Sequence, residues 1–359
     1  MYKISAITDD DLEVTFECAP DEDVISAGVR NNVILLSSCH EGGCATCKAD
    51  CLEGDFELGR CSTQALPPEE EEADVVLLCQ TFPRSDLVVR LPYSFERISF
   101  HAVQTDWGGE VVGATQISSN VVELQVEAKD PENGQPVNIP FVPGQYIDIE
   151  IPGTGISRSY SMASLDDDPR LQFLIRLLPD GRFSRFLTDH AAPGVPVKLR
   201  GPFGGFNIRE NGLNSRYFVA GGTGLSPVLS MIRYMKREGH PQATKLFFGI
   251  TFQHELFFLD ELRQLEADMP NLSVHISVAK PDPDWEGEVG TAVDGLAKHL
   301  EDAQGSPDIY LCGPPAMIDA AIAAAVTAGV PKEQIYLERF LASGTAKEDD
   351  NDPLLAASV

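Results

Sequence analysis

Basic residues are scarce in this chain. Against 55 Asp and Glu there are 27 Lys and Arg in 359 residues, a formal net charge of −28. Phosphate backbones and anionic lipids would be repelled at every distance inside the Debye length, so neither nucleic acid nor a membrane surface is expected as a partner. A basic protein or a small cofactor fits better. Long apolar runs are also missing. The most apolar stretch, Ala320–Val330, is Ala-rich and about half a bilayer span, and Met1–Asp11 has no basic segment followed by an apolar one. A cytoplasmic chain is expected. Cysteine nearly vanishes after residue 80, because seven of the eight lie before it. In a reducing compartment that clustering points to metal or redox chemistry, not a disulfide frame.

What is present suits a multidomain globular protein, with 43% apolar and 8% aromatic residues and a length worth two or three domains. Residues 1–95 read as a small α+β unit: alternating strands at Tyr2–Thr8 and Leu12–Cys18, a helix over Asp21–Asn31 capped by Asp21, then strands at Val75–Cys79 and Leu87–Leu91. Residues 96–210 carry short strands with Gly and Pro punctuation, among them Val121–Glu127, Tyr146–Ile151, Ser159–Ala163, Leu171–Leu177 and Val197–Arg200, and one helix over Phe183–His190. That pattern predicts an antiparallel barrel. Residues 211–345 alternate strand and helix, with helices over Pro227–Arg237, Glu255–Glu266, Val293–Leu300 and Ala316–Thr327, and predict an α/β unit with a parallel sheet. The tail 346–359 is polar, rich in small residues and expected to be disordered.

Three motifs carry chemistry. Cys39, Cys44 and Cys47 form C-x4-C-x2-C, and with Cys79 on a later strand this is the plant-type [2Fe–2S] spacing. Gly42 and Gly43 permit positive φ and let backbone N–H groups approach the sulfurs. A structural zinc site is the competing reading. It would make the chain a zinc-stabilised adaptor that only senses NAD(H). Cys51 is a weak competitor for the fourth ligand position, and Cys18, on an alternating strand, reads as an inert small hydrophobe. The second motif is Arg158-Ser159-Tyr160-Ser161 with the helix opening Gly181-Arg182-Phe183-Ser184. A guanidinium suits a phosphate, a phenol ring suits stacking, and helix N-terminal amides suit a pyrophosphate. The third is Gly221-Gly222-Thr223-Gly224 between an apolar strand and a helix, paired with Leu311-Cys312-Gly313-Pro314-Pro315 at the end of a later strand, where ligands of open α/β sheets sit. The loop Phe252-Gln253-His254-Glu255 after the second strand holds no cation to meet a 2′-phosphate, so NADH is expected over NADPH.

Taken together these motifs resemble the oxygenase reductases, in which a ferredoxin is fused to a flavin reductase of the ferredoxin–NADP reductase superfamily. The connecting stretches, Gln64–Glu72 and Asp308–Pro315 with the ending Tyr336–Gly344, are most similar to the branch serving soluble methane monooxygenases. Butane, propane and phenol monooxygenase reductases and those of aromatic-ring dioxygenases stay open. The resemblance implies a β-grasp ferredoxin domain, a β-barrel domain for FAD and an α/β domain for NADH. Cys39 and Cys44 would bind one iron, Cys47 and Cys79 the other. Ser161, Cys312 and Glu338 match the hydride-transfer positions. Ile175 and Arg176 match the ribityl-flanking strand, and Phe340 the aromatic near the flavin ring. Gly313 and Pro314 fall with Cys312 on the nicotinamide side. The implied partner is a diiron hydroxylase, docked transiently by the acidic ferredoxin face including Glu69–Glu72, the reductase itself being monomeric when free.

Overall fold

The computed structural model describes residues 1–37, 40, 42–43, 45–63, 65–100, 106–209, 212–303 and 305–340. Cys39, Cys44 and the expected disordered tail lie outside these residues.

Strict alternation builds the first unit. Along Glu13–Cys18 the residues Val14, Phe16 and Cys18 are buried and Glu13, Thr15 and Glu17 are exposed, the period of a strand with one wet face. This strand pairs antiparallel with Tyr2–Ile7, which runs parallel to Leu87–Arg90; Lys48–Glu53 and Val75–Leu77 complete a five-stranded mixed sheet. Helix Val24–Arg30 buries Val24, Ile25 and Ala27 in the same core as Ile4, Phe16 and Val76. A helix across such a sheet is the β-grasp arrangement. The cap is Asp23 and not Asp21, since the Asp23 carboxylate accepts the Ser26 N–H at 3.0 Å.

The second unit is a six-stranded antiparallel sheet in the order Ser157–Ser161, Tyr146–Glu150, Pro196–Phe203, Asp106–Gln116, Val121–Lys129, Leu171–Arg176. A bridge between Met162 and Phe173 joins its two ends, so the sheet closes into a barrel. The eleven-residue strand Asp106–Gln116, which carries Gly108, Gly109 and Gly113, is not among the strands expected from the sequence. In the barrel Gly109 is packed tightly. A Cβ there would fall 2.9 Å from Val197 and 3.0 Å from Val126.

The third unit is an all-parallel six-stranded sheet ordered Glu288–Val289, Leu272–Lys280, Thr244–Phe252, Arg216–Gly221, Asp308–Gly313, Ile335–Arg339. Chain order reverses between Arg216–Gly221 and Asp308–Gly313, which makes their carboxyl ends the switch point where a ligand crevice opens. The helix expected from Glu255 begins only at Leu259. Phe257 turns inward onto Phe248, ring centroids 5.4 Å apart, and Phe258 takes a left-handed conformation before the helix starts. No described helix is long and apolar enough to cross a membrane.

One helix, Leu225–Glu238, locks the sheet to the barrel. Ser226 and Ser230 donate their hydroxyls to the carbonyls of Ser161 and Ser164, each at 2.7 Å. Arg233 donates to the Ala163 carbonyl and the Gln172 side chain, both at 2.6 Å, and Arg237 to Asp166 and Asp167. These four residues recur at helical spacing, so one face of the helix makes the whole joint. Beneath it Val121, Ala163, Leu174 and Phe206 share an apolar core with Phe218 and Leu229.

Candidate functional site: a cofactor cleft and a cysteine loop

A cavity of about 730 Å³ lies along that joint, within the range of small-molecule and cofactor sites. Its barrel wall holds Arg158, Ser159, Tyr160, Ser161, Arg176, Gly181, Phe183 and Ser184; its sheet wall holds Gly221, Gly222, Thr223, Pro314, Glu338 and Phe340. Motifs from three stretches of chain therefore meet on one surface. Arg182 and Arg339 join Arg158 and Arg176 on it. In a chain of net charge −28, arginines gathered on one cavity suit an anionic ligand, the Arg339 guanidinium being already paired with Asp319.

Local geometry explains how these side chains are held. Strand Ser157–Ser161 pairs with Tyr146–Glu150, Tyr160 opposite Ile147 and Ser161 opposite Tyr146. The Tyr160 ring is tilted against Phe183, centroids 4.7 Å apart. Ser159 donates to Asp148 across the strands at 2.5 Å. Ser184 accepts the Leu178 N–H at 2.8 Å, fixing the loop before helix Arg182–Asp189. That helix starts at Arg182 behind the N-cap Gly181, which has no side chain to cap it, and its first turn lines the cleft. These donors and cations fit a flavin dinucleotide, whose pyrophosphate they would meet.

Ile175, Gly224, Cys312 and Gly313 are not on the cavity wall. Ile175 points into the barrel core, while its neighbours Leu174 and Arg176 face the cleft, as strand alternation requires. Gly224 packs against the neighbouring strand: a Cβ there would lie 2.2 Å from the Cys312 carbonyl oxygen. The Cys312 side chain is fully buried, and burial, then the Glu338 carboxylate, push its thiol well above the usual range. Gly313 lies against Gly221, where a Cβ would come 3.1 Å from the Gly221 nitrogen.

Several cleft residues carry no signal in the sequence. Asn120 donates to the Glu255 carboxylate at 2.7 Å, tying the barrel to the loop after the second parallel strand. Tyr146, Thr251, Phe257 and Thr291 also line the cavity. Lys280 Nζ, at the end of the next strand, sits 5.5 Å from the centre of the Phe252 ring, and neither residue lines the cavity.

The cysteine loop lies in the first unit. Cys47 and Cys79 are both buried, Cys47 just before strand Lys48–Glu53 and Cys79 in the turn Leu78–Gln80 that ends the expected strand early at Leu77, and the pairing of Lys48 with Leu77 brings these strands side by side. Their thiols are free of disulfide bonds. His40, Gly42 and Ala45 all have positive φ, at 53, 69 and 59°. The backbone therefore turns sharply at each of these three positions. Cys18, by contrast, is fully buried away from this loop, and its thiol is pushed up to about 12, chiefly by burial.

The fold and the cleft define a flavin- and iron–sulfur-dependent nicotinamide reductase. Family models agree: residues 7–84 match the 2Fe-2S iron-sulfur cluster binding domain, 109–208 the oxidoreductase FAD-binding domain and 218–322 the oxidoreductase NAD-binding domain. The chain is 50% identical to methane monooxygenase component C of Methylosinus trichosporium over 84% of its own length and 87% of that protein's. It is 31% identical to the reductase component of propane 2-monooxygenase from Rhodococcus jostii, covering 92% and 89%. Among solved structures, an Amycolatopsis cytochrome P450 reductase superposes with a TM-score of 0.78 at 25% identity, over 94% of this chain and 98% of that one. The chain belongs to the family of oxygenase reductases that includes methane monooxygenase component C.

Proposed function

We propose that this chain is the reductase component of a soluble methane monooxygenase, passing electrons from NADH through FAD and a [2Fe–2S] cluster to a diiron hydroxylase. The observation that carries the chemistry is the single cleft in which the R-x-Y-S strand, the glycine loop and Glu338 meet. The choice of methane is supported by identity: 50% to the methane component against 31% to a propane and 32% to a phenol monooxygenase reductase.

When bound, NADH supplies a hydride, FAD accepts it, and the cluster takes electrons one at a time. The chain's residues prepare that exchange. Arg158, Arg176 and the first turn of Arg182–Asp189 hold the anionic part of the flavin, and Tyr160, braced by Phe183, presents a ring to it. Gly221, Gly222 and Thr223 leave room for the nicotinamide nucleotide beside Pro314. Ser161 keeps its hydroxyl proton on Oγ and points it at Glu338, 3.2 Å away, so the cleft holds a polar pair where the two ligands would meet. Cys312, behind the wall, acts as neutral packing. Cys47 and Cys79, with Cys39 and Cys44, would hold the cluster.

The exposed acidic residues Glu69, Glu71 and Glu72, beside the Lys48–Glu70 ion pair, offer a docking face for a basic hydroxylase surface, with association that weakens as salt rises. The test mixes the purified, cofactor-loaded protein with purified hydroxylases and follows NADH-dependent product formation. Support of methane oxidation is expected; support of only propane, phenol or aromatic-ring oxidation would move the assignment to that acceptor.

A further inference from the structure

Among the described residues, one side-chain hydrogen bond joins the cofactor cleft to the cysteine loop. Tyr146, 2% exposed, lines the cleft, and its Oη lies 2.7 Å from His40 Nε2. His40 belongs to the ferredoxin unit. Its carbonyl accepts the Gln80 side-chain N–H at 3.1 Å, and Gln80 follows Cys79. Ser37 Oγ lies 3.1 Å from the same ring nitrogen, and the His40 ring centroid is 5.7 Å from that of Phe203 on the barrel. Beside this contact Leu36 of the ferredoxin unit presses on the barrel at Gly205, where a Cβ would fall 2.5 Å from Leu36 Cδ2. An apolar contact of that kind tolerates sliding. A directional hydrogen bond between a buried phenol and an imidazole does not.

We propose that the Tyr146–His40 contact is the seat that fixes the cysteine loop against the flavin cleft and so sets how fast electrons cross from one to the other. Both are positioning residues. The proposal rests on reading the cleft as the FAD and NADH site and the loop as the [2Fe–2S] site. The exchange balances: hydride from NADH adds two electrons and a proton to oxidised flavin. The flavin returns to the oxidised state by giving up its two electrons singly: each turns one ferric iron of the cluster ferrous, the first passes on to the hydroxylase before the second is taken, and the proton leaves to solvent. Misplacing donor and acceptor by even an ångström slows such a step steeply.

The experiment uses His40→Ala, Tyr146→Phe and the double variant in the full chain carrying both cofactors. Anaerobic stopped-flow mixing with NADH follows the flavin and cluster bands separately. Amide hydrogen exchange without NADH reads the contact itself. In His40→Ala, flavin bleaching should stay within about twofold of the parent while cluster bleaching slows at least about tenfold. Exchange should rise on both sides, at Leu35–Leu36 and at Tyr146–Ile147. The double variant should be no slower than either single one, since each removes the same contact. If His40→Ala loses cluster absorbance, His40→Asn, which tolerates the left-handed backbone at this position, supplies the same measurement. Cluster bleaching at the parent rate, unchanged exchange, or slowing that multiplies in the double variant would overturn the proposal alone. A parent protein whose flavin ignores NADH would overturn the reading of the cleft as well.

Discussion

Ser161 Oγ donates a 3.2 Å hydrogen bond to Glu338 Oε2, joining residues 177 apart in the chain across the barrel–sheet joint. Both side chains are buried, and the Ser161 carbonyl is held in turn by the Ser226 hydroxyl. Ser161 is thus fixed from two directions, by a strand of the parallel sheet and by the helix that follows the glycine loop. A buried carboxylate facing a hydroxyl is costly to leave unpaired, so the pair works as a unit.

Removing either member should therefore slow hydride uptake without emptying the cleft. Ser161→Ala and Glu338→Gln are each expected to lower the rate of flavin bleaching by NADH by roughly ten- to a hundredfold, with flavin content retained. Stopped-flow at saturating NADH checks this; an unchanged rate in both variants would remove the pair from the reaction.

Arg158→Ala should weaken flavin retention while leaving the cluster absorbance intact. Loss of a hydrogen bond to a charged group costs about 1.5–3 kcal/mol, on the order of ten- to a hundredfold in affinity. Flavin and iron counted on the same sample after gel filtration give the answer, and simultaneous loss of both would speak against separate sites.

At Gly224 an added methyl group has nowhere to go, because the backbone carbonyl of Cys312 would be 2.2 Å away. Gly224→Ala should destabilise the nucleotide-binding unit by about 1–3 kcal/mol and lower its melting temperature, with the cysteine-loop unit unaffected. A melting curve identical to the parent's would mean that the strand and helix separate more easily than their packing implies.

His275 gives the fold an acid-side weakness. Burial, then the neighbouring His299, depress its pKa below 6.5 against the opposing pull of Glu288. A depressed histidine is neutral in the folded state, so its contribution is fully present above 6.5 and is lost as pH falls through that value and below. Between about pH 7.5 and about pH 5.5 the parent should lose more thermal stability than His275→Gln. Equal losses would show that the ring is charged in the folded protein.

The cleft was legible in the sequence where its determinants are local. The R-x-Y-S strand and the glycine loop each encode their own backbone, and the cleft collects both. Orientation was less legible. Ile175 sits one residue from two cleft-facing neighbours, and only the strand pairing decides which face it shows. Burial of Cys312 depends on how the Gly224 turn closes over it. Asn120 with Glu255, and His40 with Tyr146, are pairings between units, and no local pattern announces them. The strand Asp106–Gln116 carries three glycines, and at one of them, Gly109, the crowded barrel interior leaves no room for a Cβ.

The most direct test of the electron route is the visible spectrum of the purified protein, recorded anaerobically before and after stoichiometric NADH, with iron, zinc and flavin counted on the same sample. Flavin and iron–sulfur absorbance that both bleach on NADH addition are expected. A colourless, zinc-containing protein that ignores NADH would contradict the reductase assignment and make the cysteine loop a structural metal site.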